Sequence, residues 1–153
     1  MKRYTVLHAI ETAGPGGAET VLLDVASGIN RDKYRSMAFL PQGPWLPGQL
    51  ESRGVPYTIS QSNSWHGVIR EMKALVEREN VDIIHSHLDD QNFCCSIVGK
   101  LAGRKTIATF HGAPRIAVQT GLRRSMKLWV SKRYASRIVV VSDSRTCTSI
   151  VRS

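Results

Sequence analysis

Glycines, histidines and basic side chains in four short segments are the residues of this sequence that could bind or act on a ligand. The first segment, residues 14–19, reads Gly-Pro-Gly-Gly-Ala-Glu and joins an apolar run to an amphipathic stretch. Backbone N–H groups at a helix N-terminus carry partial positive charge, and glycine lets a phosphate approach closely. The segment therefore predicts an anion-binding loop, with a tight strand-to-helix turn that binds nothing as the alternative.

The loop departs from the two common nucleotide-binding motifs. Glu19 stands where the dinucleotide fingerprint requires its third glycine, and the apolar run that ends at Leu40 is followed by no acid for a ribose. No Gly-Lys-Ser/Thr sequence follows the loop, so it is not a P-loop.

The second segment, residues 85–90, reads His-Ser-His-Leu-Asp-Asp and differs by one residue from the H-x-H-x-D-H pattern of dinuclear zinc hydrolases. Asp90 replaces the last histidine, and His111 is the one histidine that follows. Because the ligand count fails, we expect no metal site and no cofactor. His87 either lines a cleft or is satisfied by backbone groups, and Asp89 and Asp90 suit the N-terminus of a helix.

The third segment, residues 109–115, ends an apolar strand pattern and continues as His-Gly-Ala-Pro-Arg from His111. A histidine on such a loop at a strand end can meet a ligand, so we expect His111 to take part in chemistry. We expect the cleft beside it to be lined by residues that end or follow other strands. These are Glu19, His87, Arg115 and Ser142.

The fourth segment, residues 121–135, predicts a helix with an apolar stripe and a basic remainder. The stripe consists of Leu122, Met126, Trp129 and Val130. One interpretation is a helix that packs its stripe on the core and leaves a solvated basic face. The other is that Arg123, Arg124 and Lys127 contact lipid head groups or an anionic acceptor.

Length and charge limit the classes of function. The chain has 153 residues, which fits one domain and is too short for most two-domain transferases. The net charge of +9 arises in residues 102–153, which hold eleven basic residues and one acidic residue. This local excess, without an aromatic stacking motif, argues against nucleic acid. Three cysteines without a pairing pattern and the absence of a signal-peptide or transmembrane pattern predict a cytoplasmic protein.

Apolar runs and amphipathic stretches alternate along the chain, which predicts βαβ units. Strands are expected at 5–10, 36–40, 57–59, 81–86, 106–110 and 138–141. Helices are expected at 18–29, 49–53, 64–79, 92–101 and 121–135, with one more capped by Ser144. The fold class is α/β: a doubly wound, mostly parallel sheet with helices on both faces, Rossmann-like and three-layered. Ligands of such sheets bind beyond the carboxyl ends of the strands.

In order and spacing, four of these segments resemble the amino-terminal half of GT-B glycosyltransferases of family 4. They are residues 14–19, 82–87, 109–112 and 138–142. The resemblance implies that residues 1–153 form one Rossmann-like, acceptor-side domain, and that the carboxyl-terminal donor domain with its pair of glutamates is absent. It implies a transferase of the hexosyl type that is inactive as this chain alone and works with the donor domain in cis or in trans.

The resemblance also implies roles for individual residues. Gly16 and Gly17 would bind the donor diphosphate, and His111 would contact the transferred sugar. Transfer would retain the anomeric configuration, need no metal and pass a sugar from a nucleotide-sugar donor to a glycan, lipid-linked or small-molecule acceptor. Surface-polysaccharide or glycolipid synthesis, with peripheral contact at the inner face of the membrane, is the expected setting. The alternative function is a stand-alone phosphate- or nucleotide-binding module.

Overall fold

Strands and helices alternate in this computed structural model, which describes residues 2–111, 121–141 and 148–150. The strands are β1 (Tyr4–Ile10), β2 (Tyr34–Leu40), β3 (Tyr57–Ile59), β4 (Ile83–His87), β5 (Lys105–His111), β6 (Arg137–Val141) and β7 (Thr148–Ile150). The helices are α1 (Gly17–Gly28), α2 (Leu46–Ser52), α3 (Trp65–Arg78), α4 (Asp89–Ala102) and α5 (Leu122–Tyr134).

The described strands form one sheet in the order β3-β2-β1-β4-β5-β6-β7. Strands β1 to β6 pair in parallel, and β7 runs antiparallel to β6. The chain winds outward from β1 to β3, then returns to the other side of β1 with β4. This reversal opens a crevice beyond the carboxyl ends of β1 and β4, where ligands of doubly wound sheets bind. The predicted fold class is confirmed.

Alternating side chains of the central strands pack on the two faces of the sheet. Leu7 and Ala9 belong to one buried cluster, which includes apolar residues of α3 and α4. Ile10 belongs to a second cluster, which includes residues of α1 and α2. Helices therefore cover both faces of β1, which explains why this strand reads as a continuous apolar run.

The chain after β6 differs from the sequence-based expectation of a helix. Residues 148–150 form β7 beside β6, so the predicted helix was wrong there, and Ser144 lies outside the described residues. Thr148 and Ile150 are β-branched, which favours a strand, and the edge of β6 offers backbone groups that need partners. None of the helices in the described part of the chain has the length and apolarity to cross a bilayer.

Candidate functional site

The glycine loop leads from β1 into α1 and leaves the helix N-terminus open. Gly16 is the N-cap of α1 in extended backbone conformation, with φ −169° and ψ 169°. An α-helix leaves its first N–H groups without partners inside the helix. A Cβ placed on Gly17 would meet no atom within 4 Å, and both glycines are exposed. The two residues predicted to bind a diphosphate therefore lie at an accessible helix N-terminus.

Glu19 lies directly beneath this loop. Its side chain is 6% exposed, and Thr12 Oγ1 donates a hydrogen bond of 2.5 Å to Glu19 Oε1. A Cβ on Gly16 would collide with Glu19 Oε2, so the glycine allows the loop to close over the carboxylate. Burial lowers the pKa of His111, and the charge of the nearby Glu19 carboxylate partly opposes this shift. Glu19 therefore lies beside both Gly16 and His111.

His87 and His111 end the adjacent strands β4 and β5 and are hydrogen-bonded to each other. The distance from His87 Nδ1 to His111 Nε2 is 3.0 Å. His87 is fully buried, and burial lowers its pKa to about 2, with smaller contributions from neighbouring histidines. His111 is half-buried at the edge of the sheet. His87 is therefore a neutral ring that holds His111 in place from its buried side.

Two further histidines extend this pair into a row, and the sequence analysis missed one of them. His8 on β1 is in register with His85 on β4, and their ring centroids are 5.3 Å apart. The ring of His85 is in turn 4.4 Å from that of His87. Burial lowers the pKa of His8 to about 3 and that of His85 to about 4. His8 gave no signal in the sequence because its neighbour is set by the register of two strands far apart in the chain.

The N-terminus of α4 is capped by the carboxylate of Glu11, which directly follows β1. Glu11 Oε2 accepts hydrogen bonds from the backbone N–H groups of Asp90 and Gln91, at 2.6 and 3.0 Å. This long-range cap explains why α4 begins at Asp89 and not at Asn92 as predicted. Burial, and then the charge of Asp90, raise the pKa of Glu11 from 4.5 to about 6.

Replacing Glu11 with glutamine should therefore stabilise the domain at pH 7. A carboxyl whose pKa is higher in the folded state keeps its proton longer there, so the free energy of unfolding falls as the pH rises from 4.5 to about 6. Glutamine keeps an acceptor for the two N–H groups and does not ionise. The free energy of unfolding at pH 7 should therefore be about 1–2 kcal/mol higher in the variant. Urea unfolding at pH 4 and pH 7 tests this: the gain should vanish at pH 4. An equal gain at both pH values, or a gain in the exposed control Asp24→Asn, would contradict it.

Lys127 on α5 contacts the N-terminus of α4. Its ammonium group pairs with Asp90 and lies 4.6 Å from the centre of the Trp65 ring. The Lys127 side chain is only 17% exposed, so it faces α4 and does not belong to a solvated basic face. Beside Asp90 and Trp65 lies a cavity of about 220 Å³ at the carboxyl ends of β1 to β3, with Glu11 and Ser60 in its wall.

Three of the four side chains in the apolar stripe of α5 are exposed, contrary to the packing interpretation, and Val130 is half-buried. Leu122 is 90% exposed, Met126 44% and Trp129 60%, whereas Ser131 is buried. The physical reason is that α5 rests on α4, with Lys127 between them. Among the other predicted site residues, Arg123 and Arg124 lie in the first turn of α5. Arg115 and Ser142 lie outside the described residues.

The described geometry is that of a Rossmann-like domain of the GT-B class. It has a doubly wound sheet, and at the carboxyl ends of the strands it has polar side chains and a helix that begins at a glycine loop. The chain belongs to glycosyltransferase family 4, whose model matches residues 15–145. No curated protein matches the sequence.

Solved structures share this fold at low sequence identity. Anabaena Alr3699/HepE, in complex with UDP, is 21% identical over 88% of this chain and 36% of its own, with a TM-score of 0.71. Acinetobacter baumannii MurG is 12% identical over 97% and 44%, with a TM-score of 0.68. The UDP-GlcNAc 2-epimerase of Neisseria meningitidis, bound to UDP-GlcNAc, is 12% identical over 86% and 39%, with a TM-score of 0.61.

These relatives are longer than this chain, which spans 36% to 44% of their lengths. They include an epimerase, so the fold by itself does not define the reaction.

Proposed function

We propose that the chain is the acceptor-side domain of a hexosyl-type, retaining glycosyltransferase that uses a nucleotide-sugar donor. The acceptor is a glycan, a lipid-linked saccharide or a small molecule. The observation that carries this proposal is the meeting of an open helix N-terminus, at Gly16 and Gly17, with the half-buried ring of His111 at one edge of the sheet. Family membership supports it.

In this proposal the N-terminus of α1 stabilises the departing nucleotide diphosphate. Free N–H groups and the helix dipole act where negative charge develops as the bond between sugar and phosphate breaks. The helix thus takes the place of a divalent ion, and transfer needs no metal. Glu19 supports the loop from below and sits beside His111.

His111 contacts the transferred sugar close to the atoms that react. Its Nε2 is engaged by His87, which leaves Nδ1 for the sugar. The acceptor lies towards the cavity beside Glu11 and Trp65, on the same edge of the sheet. A second, donor-binding domain, in cis or in trans, closes the other side of the cleft, so this chain alone is inactive.

Release of UDP from UDP-glucose in the presence of acceptors tests the proposed function; HepE has been crystallised with this donor. We expect release, undiminished when Mg²⁺ and Mn²⁺ are omitted, from a protein that joins this domain to a donor-binding domain or from this chain with a separate donor-domain chain. The 153-residue chain alone should give none. A stop codon after Ser153 without a donor-domain partner, or UDP binding without transfer, would instead support the binding module. A requirement of release for added Mg²⁺ or Mn²⁺ would contradict the metal-free mechanism.

Replacing Gly17 with valine should raise the KM for the donor at least about tenfold without unfolding the domain. The new side chain meets no protein atom, but it occupies the space through which a phosphate reaches the helix N-terminus. Steady-state kinetics with a thermal melt measure both effects. Gly28→Val is the matched control, because Gly28 ends the same helix and is equally open. Equal effects of the two variants on the KM for the donor would show that the loop does not bind the donor.

We also propose that α5 contacts the membrane surface through its exposed apolar side chains. Leu122, Met126 and Trp129 are exposed on a helix that also carries Lys132 and Arg133 in its last turn. Such a helix suits the interface between head groups and acyl chains. Leu122→Ser/Trp129→Ser should reduce sedimentation with phosphatidylglycerol vesicles severalfold, whereas Lys127→Gln, which removes a lysine already paired with Asp90, should have little effect. A larger loss of sedimentation for Lys127→Gln than for Leu122→Ser/Trp129→Ser would contradict this orientation of the helix.

A further inference from the structure

The histidine row on the sheet brings three imidazole rings into the range of one metal ion. His8, His85 and His87 each offer a ring nitrogen, and these nitrogens all lie within 4.8 Å of one another. His8 and His87 are fully buried. β1 supplies one ring and β4 supplies the other two, so a rigid element holds each of them.

Two of these rings have a buried nitrogen that lacks a hydrogen-bond partner among the described residues. They are His8 Nδ1 and His87 Nε2. A buried polar atom without a partner costs free energy, so its presence on two neighbouring rings calls for a ligand. Imidazole nitrogens are the commonest protein ligands of metal ions.

The other nitrogen of each ring faces a polar atom that can orient the ring. His8 Nε2 lies 3.4 Å from Ser36 Oγ, and His85 Nε2 lies 2.8 Å from Thr109 Oγ1. His87 Nδ1 lies 3.0 Å from His111 Nε2. Histidine ligands of metals characteristically use one nitrogen for the metal and hold the other by a hydrogen bond.

We propose that His8 Nδ1, His85 Nδ1 and His87 Nε2 bind a divalent first-row metal ion of the Zn²⁺ type. Three imidazoles with an open fourth position form a tetrahedral site that Zn²⁺ accepts, and Co²⁺ can replace it. Bonds of about 2.0–2.1 Å place the nitrogens roughly 3.3 Å apart, which small ring rotations can reach from the present separation. The ligand count of the sequence analysis missed this site because it could not place His8 beside the other two residues.

The proposed metal site lies on the buried side of His111 and not at the glycine loop. Ligation through Nε2 puts the proton of His87 on Nδ1, which then donates to His111 Nε2. That bond fixes the proton of His111 on Nδ1. The ion therefore positions a ring and stabilises the sheet, without acting on the donor phosphates. The proposal does not depend on the proposed transfer reaction.

Metal binding by the full chain tests the site directly. The chain, stripped with a chelator that is then removed, is titrated with Zn²⁺ by calorimetry and with Co²⁺ by visible absorption. We expect one ion per chain, tetrahedral Co²⁺ bands without a thiolate charge-transfer band, and a higher Tm with Zn²⁺. His85→Ala should weaken Zn²⁺ binding at least about tenfold, and Thr109→Val should weaken it less.

The exposed residue His66 on α3 provides the matched control. His66→Ala should leave the affinity unchanged. If the buried variant His8→Asn fails to fold, the half-buried His85 still gives the test, with folding checked by circular dichroism. Absence of Zn²⁺ uptake by the folded wild-type chain, or loss of uptake in His66→Ala but not in His85→Ala, would overturn the proposal.

Discussion

Replacing His111 with alanine should lower the kcat of the assembled transferase about a hundredfold, the usual scale for a side chain that acts on the reacting group. The ring ends β5 beside Glu19, and His87 holds its Nε2 at 3.0 Å. Alanine removes the hydrogen bond that we assign to the transferred sugar, and it leaves the glycine loop untouched. Initial rates over a range of donor concentrations separate kcat from KM.

The matched control for this variant is His66→Ala, which removes an exposed histidine from α3. It should retain the wild-type kcat. His87→Gln should give an intermediate loss, because its amide can still hold His111 but not at the same angle. A kcat within threefold of wild type for His111→Ala would show that His111 is not part of the reacting centre, even if the chain is a transferase domain.

Replacing Asn92 with alanine should lower the free energy of unfolding by about 3 kcal/mol. Asn92 is fully buried on α4 and links this helix to two strands. Its Oδ1 accepts a hydrogen bond of 2.7 Å from Ser86 on β4, and its Nδ2 donates one of 3.0 Å to the carbonyl of Thr109 on β5. Alanine breaks both bonds and leaves a cavity. Urea unfolding at constant m-value measures the loss.

A cycle with Ser86→Ala tests the assigned contact. The double variant should lose less than the sum of the single variants, because both remove the same hydrogen bond. Asn63→Ala, at an exposed position before α3, is the control and should change stability little. Additive losses, or a loss under about 1 kcal/mol for Asn92→Ala, would contradict the role of Asn92 as the tie between the strand ends that carry His87 and His111.

Most strands and helices could be predicted because their signals are local. Ser64 caps α3 through a hydrogen bond from the Gly67 N–H, and the apolar positions of that helix repeat at helical spacing. The start of α4 could not be predicted, because its cap, Glu11, follows β1 and is far from α4 in the chain. The exposed stripe of α5 could not be predicted either, because the contact of Lys127 with Asp90 turns the helix.

The sequence by itself determined the doubly wound fold, the glycine loop at the end of β1 and the position of His111 at the end of β5. Each of these depends on apolar periodicity and on residues adjacent in the chain. Only the tertiary structure decided that His8 lies beside His85, that Glu19 supports Gly16, and that His87 holds His111. The two histidine pairs are fixed by the order and register of parallel strands, and parallel pairing joins residues that are far apart in the chain. Glu19 contacts Gly16 because the turn into α1 places its side chain beneath the loop.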